Sequence, residues 1–153
     1  METIKELLAE HPFFKDLSED QLELLAGCGS KVHFKKGESV LKEGDSADYF
    51  YLIRKGKVAL DIDGAERGFI RIQTIENGEI LGWSWLIPPY QWSFSGVAVE
   101  ETSATALDGK CLRGKCEKDH ELGYELYKRF TIVMTKRLAW TRMQLLDVYK
   151  ANA

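Results

Sequence analysis

A chain of 153 residues with 44% apolar and 29% charged residues suits one domain with its own core, and excludes a disordered tail, a collagen-like repeat or a disulfide-rich scaffold. A formal net charge of −3 lacks the basic surplus behind non-specific nucleic-acid affinity, so direct DNA binding is disfavoured. No run reaches the roughly 18 apolar residues of a membrane span. The most apolar piece, Ile80 to Tyr90, is broken by Gly82, Ser84, Pro88 and Pro89, so no membrane partner is expected. Cys28, Cys111 and Cys116 are an odd, scattered set with no charged-then-apolar leader before them, which predicts a reducing, cytoplasmic setting.

Thr3 to Glu10 reads as a short amphipathic helix with Ile4, Leu7 and Leu8 on one side, stopped by Pro12. Ser18-Glu-Asp-Gln21 has the capping-box form, and Leu22, Leu24 and Leu25 give the following helix an apolar side before Gly27 and Gly29; it is expected to end near Cys28. From Ser30 to Leu107 the pattern changes to short runs rich in β-branched and aromatic residues. Turn signals punctuate them at Lys36-Gly37, Glu43-Gly44, Lys55-Gly56, Asp63-Gly64, Asn77-Gly78 and Asp108-Gly109. That spacing predicts a barrel or sandwich of about eight strands, among them Tyr49 to Ile53, Lys57 to Ile62 and Phe69 to Ile75, with Asp63-Gly64 a hairpin corner. Gly37, Gly44 and Gly56 are read as corner residues.

Beyond Asp108 the period is helical again, over about Lys110 to Lys118 and then from Asp119 or His120 to about Tyr149. Tyr127, Phe130, Met134, Leu138, Thr141, Leu145 and Val148 recur at three-and-four spacing and draw a mostly apolar seam along a helix of roughly 45 Å. A seam that long must be buried, and a second copy of the same helix is the simplest cover, so a homodimer is expected.

Helices, an eight-strand roll, a short helix and a long helix resemble the cyclic-nucleotide-binding domain of the catabolite-activator and fumarate-nitrate regulator families. The run Phe34-Lys-Lys-Gly37-Glu38-Ser-Val-Leu41-Lys-Glu43-Gly44-Asp45, followed by Tyr49-Phe50-Tyr51-Leu52-Ile53-Arg54-Lys-Gly56-Lys57-Val58, is similar to the opening strands of that family; Gly78-Glu79-Ile-Leu81-Gly82 is similar to the start of its phosphate-binding cassette. The resemblance implies a mainly β fold, a jelly-roll-like β-roll (double-stranded β-helix), in one domain: N-terminal helices over 1–29, the roll over 30–108 and C-terminal helices over 110–149.

A cyclic nucleotide presents a phosphodiester anion and a ribose hydroxyl, so its site needs a cation or several amides and an acceptor. The family implies a Gly-Glu pair opening a short helix and an Arg some ten residues later. Here the pair reads Gly82-Trp83, the Arg position falls at Trp92 or Ser93, and no Lys, Arg or His lies between Arg71 and Lys110. Losing that guanidinium costs about 3–5 kcal/mol by analogy with broken buried ion pairs, so ordinary cyclic AMP or GMP binding is expected to be weak. The amides at the start of a Trp83 to Leu86 helix, or Arg142 from the long helix, are the remaining ways to meet an anion.

Aromatic residues stand where the charges are missing: Trp83, Trp85, Tyr90, Trp92 and Phe94, around Pro88-Pro89. This resembles short stand-alone bacterial members of the family whose cassette reads Gly-Trp-Ser-Trp-Leu before a Pro-Pro-Tyr segment. The candidate ligand-binding residues are Gly78, Glu79, Leu81, Gly82, Trp83, Ser84, Trp85, Tyr90, Gln91, Trp92, Ser93 and Phe94. A regulatory sensor is expected, in which the rings line a pocket for a flat or apolar effector that shifts the long helix; the alternative is that they fill the vacated pocket as core and leave a dimerisation or protein-interaction module. No cofactor is expected. Cys116 and His120, with Cys111 nearby, are too few ligands for a structural zinc. His11, His33 and His120 lie in dissimilar surroundings, Ser84 lacks the glycine of a nucleophile elbow, and no enzyme is expected. The chain stops at Ala153 without a helix-turn-helix, so any effect on transcription is expected to run through a partner.

Overall fold

Two capping boxes fix the first helices of this computed structural model, which describes residues 1–152. The Thr3 hydroxyl accepts from the Glu6 amide at 3.2 Å while the Glu6 carboxylate accepts from the Thr3 amide, starting α1 (Ile4–Glu10). Ser18 and Gln21 do the same, both at 3.1 Å, for α2 (Glu19–Ala26). A single 3-10 turn, Pro12–Phe14, joins them. Leu7, Leu8, His11, Phe14, Leu17, Leu22 and Leu25 are buried along this segment.

Eight strands follow, as the turn spacing predicts. They form two four-stranded antiparallel sheets in jelly-roll order. The first runs β1 (Gly29–Phe34), β8 (Thr102–Asp108), β3 (Tyr49–Lys55), β6 (Ile80–Leu81). The second runs β2 (Ser39–Leu41), β7 (Ser95–Ala98), β4 (Lys57–Asp63), β5 (Phe69–Glu76). Phe50 and Leu52 face inward at alternate positions of β3, opposite Leu107 and Thr105 of β8, and a register shift near Ile53 buries that side chain as well. Val58, Leu60 and Ile75 supply the facing wall of the core. Along the free side of β5, Phe69 is 73% exposed. The Asp63-Gly64 corner opens a longer connection, through a 3-10 turn at Ala65–Arg67 closed by the Gly64 amide on the Gly68 carbonyl.

His11 pins the N-terminal segment to the roll. Its Nδ1 accepts from the Phe13 amide at 3.2 Å, so Nε2 carries the proton and donates to the Ile53 carbonyl at 3.2 Å. Burial holds its pKa below the ordinary histidine value, against a smaller opposing pull from the Ile53 and Glu79 carbonyls. The folded state therefore stays neutral where the unfolded chain takes up a proton, and stability is full above about pH 6.5 and falls as pH drops below it, by at most about 1.4 kcal/mol per unit from this group. Urea unfolding at pH 7.5 and 5.5 checks this: His11→Gln should flatten that part of the slope, and an unchanged slope would refute the assignment.

The chain divides into two compact units, Met1–Lys115 and Cys116–Ala153. In the first, a disulfide joins Cys28, between α2 and β1, to Cys111 in the first turn of α3 (Gly109–Lys118), with Cα atoms 5.8 Å apart. The scattered cysteines did not announce this pairing across 83 residues. The second unit holds the end of α3 and α4 (His120–Ala151), whose first turn is capped by the Asp119 carboxylate accepting from the Leu122 amide at 3.1 Å. Of the seam residues, Phe130 is buried and Met134 half-buried, while Tyr127, Leu138, Thr141, Leu145 and Val148 are exposed. Among the described residues no helix is long and apolar enough to cross a membrane.

Candidate functional site

The cassette hangs between β6 and β7. Gly82 leaves β6 with φ +92, a region that glycine enters without steric cost. A Cβ placed there would clash with the Trp92 ring, so the indole lies directly on the bare Gly82 backbone. Trp92 is 6% exposed, and its main chain is fixed from both sides: its amide donates to the Asp45 carbonyl at 3.0 Å and its carbonyl accepts from the Gly44 amide at 2.9 Å. The rings that sequence left open as pocket wall or core are largely buried here.

Trp85 is fully buried, stacked on Phe50 with centroids 5.2 Å apart and planes 13° from parallel. Phe94 is buried against Trp92, their centroids 6.3 Å apart, and Ser84 is buried too. Leu81 is core, paired with Tyr51 of β3. Trp83 and Tyr90 stay half-buried, and Gln91 and Ser93 are exposed, Gln91 bridging to Ser46. Tyr90 takes φ +57 just after a cis Pro88-Pro89 bond.

One expectation needs correction. Trp83 to Leu86 forms a turn, closed by the Leu86 amide on the Trp83 carbonyl at 3.0 Å, and no helix. The Pro88-Pro89 pair cuts the segment off before a second turn can form, so no aligned row of helix-start amides is available to an anion. Gly78 and Glu79 lie in the turn between β5 and β6. Gly78 lines a cleft of about 320 Å³ with Pro12, His11 and Arg54, and the Glu79 carboxylate accepts from the Glu76 amide at 2.9 Å to close the β5–β6 turn. Arg142 is exposed on α4.

The cation of the cassette comes from α3, where sequence reasoning did not look. The Arg113 guanidinium carbon lies 4.1 Å from the Tyr90 ring centroid, and Nη1 donates to the Trp85 carbonyl. Gly109, at the start of α3, makes room: a Cβ there would meet Trp85 Cβ at 2.8 Å, and its amide donates to the Asp48 carbonyl at 2.7 Å. No spacing rule links position 113 to position 90; only the roll brings them together. Cys111, weighed as a metal ligand with Cys116 and His120, is committed to Cys28.

Two antiparallel sheets in jelly-roll order, carrying a glycine-led cassette between β6 and β7, define the class of fold as a jelly-roll-like β-roll. The chain belongs to the cyclic nucleotide-binding domain family, whose model matches residues 31–119. It is similar to a solved Geobacter metallireducens chain described as a candidate cyclic nucleotide-binding protein: 27% identical, TM-score 0.79, covering 90% of this chain and 99% of that one. A cyclic nucleotide-binding domain from Methylobacillus flagellatus is 25% identical with TM-score 0.79, covering 94% of this chain and 81% of that one. A Drosophila melanogaster cGMP-dependent protein kinase is 34% identical over 80 residues, which are 50% of this chain but 8% of the kinase.

Proposed function

We propose that this chain is a non-enzymatic regulatory domain of the cyclic-nucleotide-binding type whose cassette is closed by its own aromatic side chains, and that it works as a homodimer through α4. The observation that carries this reading is the Trp92 indole lying on Gly82, where the family brings ligand phosphate close to bare backbone. The chain carries no cation between Arg71 and Lys110, and Arg113 is spent on Tyr90 and the Trp85 carbonyl. Cyclic AMP and cyclic GMP would have to displace a buried ring and leave their phosphate without an ionic partner. The exposed Leu138, Leu145 and Val148 along α4 support self-association.

A second reading keeps the cassette as a receptor for a flat, largely apolar effector, favoured by Trp83 and Tyr90 being only half-buried. Calorimetric titration separates the two, with light scattering of the same sample reporting oligomeric state. Expected are twice the chain mass and no saturable heat with cyclic AMP or cyclic GMP. The double variant Trp83→Glu with Trp92→Arg should bind cyclic AMP at least about tenfold more tightly, because it restores a carboxylate and a guanidinium. Saturable micromolar binding by the unaltered chain would overturn the closed cassette. Quenching of tryptophan emission by a planar aromatic metabolite would establish the second reading.

A further inference from the structure

We infer that Cys28–Cys111 is a reversible thiol-exchange site, open to small thiols and their disulfides, whose state sets how firmly α3 holds the cassette. The effect on the cassette builds on the closed-cassette reading; the exchange itself does not.

The bridge ties together two segments that also meet through hydrogen bonds, among them the Lys115 ammonium donating to the Leu24 carbonyl. The Cys28 carbonyl accepts from the Asp108 amide at 2.9 Å, and the Asp108 carboxylate accepts from the Cys111 amide at 2.9 Å to cap α3. Two residues further on, Arg113 reaches Tyr90 and the Trp85 carbonyl. The first turn of α3 thus stands between the disulfide and the cassette. The fold does not need the bond as a substitute for a core: Phe50, Leu52, Ile53, Val58 and Ile75 are fully buried, unlike the interior of small scaffolds that depend on disulfides.

Access is uneven. Cys28 is 8% exposed, whereas Cys111 is half-buried, so an incoming thiolate meets the Cys111 sulfur. Its attack there forms a mixed disulfide with Cys111 and expels the Cys28 thiolate, which takes up a proton. A second small thiol attacks the small-molecule sulfur of that mixed disulfide, forming the small disulfide and releasing the Cys111 thiolate, which is protonated in turn. In sum, two electrons pass from two small thiols to the protein; the reverse sequence, with a small disulfide as oxidant, restores the bridge. Cys116 takes no part at neutral pH, because burial holds its thiol above the usual range and keeps it protonated.

The test uses the full chain carrying Cys116→Ser in glutathione buffers swept from oxidising to reducing, with alkylation and intact mass counting thiols. Two thiols should appear together and disappear on re-oxidation, with a reversible shift in tryptophan emission. Reduction should lower the melting temperature by roughly 5–15 °C. Arg113→Ala should leave the thiol titration unchanged and abolish the emission shift. Thiols that glutathione fails to release from the folded protein, or a melting shift with unaltered emission, would overturn the proposal and reduce the bond to a structural one. Neither readout involves a cyclic nucleotide or a partner, so failure here leaves the reading of the cassette as it stands.

Discussion

Trp85→Ala is expected to cost about 3–5 kcal/mol, close to the whole stability of a marginal domain. The ring is fully buried, lies flat on Phe50 and leans its Cβ on Gly109, so truncation opens a cavity bounded by a strand and by the start of α3. Neither wall can collapse into it. Phe50 is fixed by pairing with Leu107 across β3 and β8, and Gly109 by its hydrogen bond to Asp48. Urea unfolding followed by circular dichroism measures the loss. Trp85→Phe should retain the stacking and lose no more than half as much. A cost below about 1 kcal/mol for the alanine variant would show that the niche relaxes, against the packing described here.

Gly56→Ala is the other substitution expected to be severe. Gly56 turns the chain from β3 to β4 at φ +125, outside the range that side chains tolerate, and its new Cβ would stand 2.6 Å from Thr102 Cα and 2.7 Å from the Glu101 carbonyl oxygen. These are backbone atoms and cannot swing aside. The Gly56 amide is also tied to the Asn77 side chain at 2.7 Å, so the turn cannot rotate without breaking that bond. Backbone strain of about 1–3 kcal/mol and overpacking of about 1–3 kcal/mol add at this one position. Gly37→Ala is the control: φ is +88 with nothing within 4 Å of the added carbon, so only the strain remains. Equal losses at the two positions would mean that the contact with Thr102 is unimportant.

What could be read from the sequence is what depends on near neighbours along the chain. Thr3 with Glu6, and Ser18 with Gln21, are three residues apart and specify their helix starts unaided. Glycine turn signals count strands, and the three-and-four spacing after Asp119 marks α4. The family resemblance implies a helix at Trp83 to Leu86, but Pro88-Pro89 just beyond it limits the segment to a turn, an effect that is local and legible. That the aromatics pack inward also escaped, since the same tryptophan-rich composition suits a pocket and a core. Arg113 on Tyr90 and Cys28 with Cys111 lay beyond reach for another reason: each pair is joined only once the roll has closed, and no spacing encodes that.

The second sheet ends at β5, eight residues long and hydrogen-bonded to β4 on one flank, with Phe69 and Ile70 turned outward near its start. Such a rim is a template on which a stray strand of another molecule could add, the first step of amyloid-like stacking. Arg71, held by the Asp61 carboxylate at 3.2 Å, and the register shift at Leu60/Asp61 place charge and a kink within that same stretch. Their contribution is to colloidal behaviour: they guard a border whose neutralisation would invite sheet-to-sheet coalescence long before the roll itself came apart.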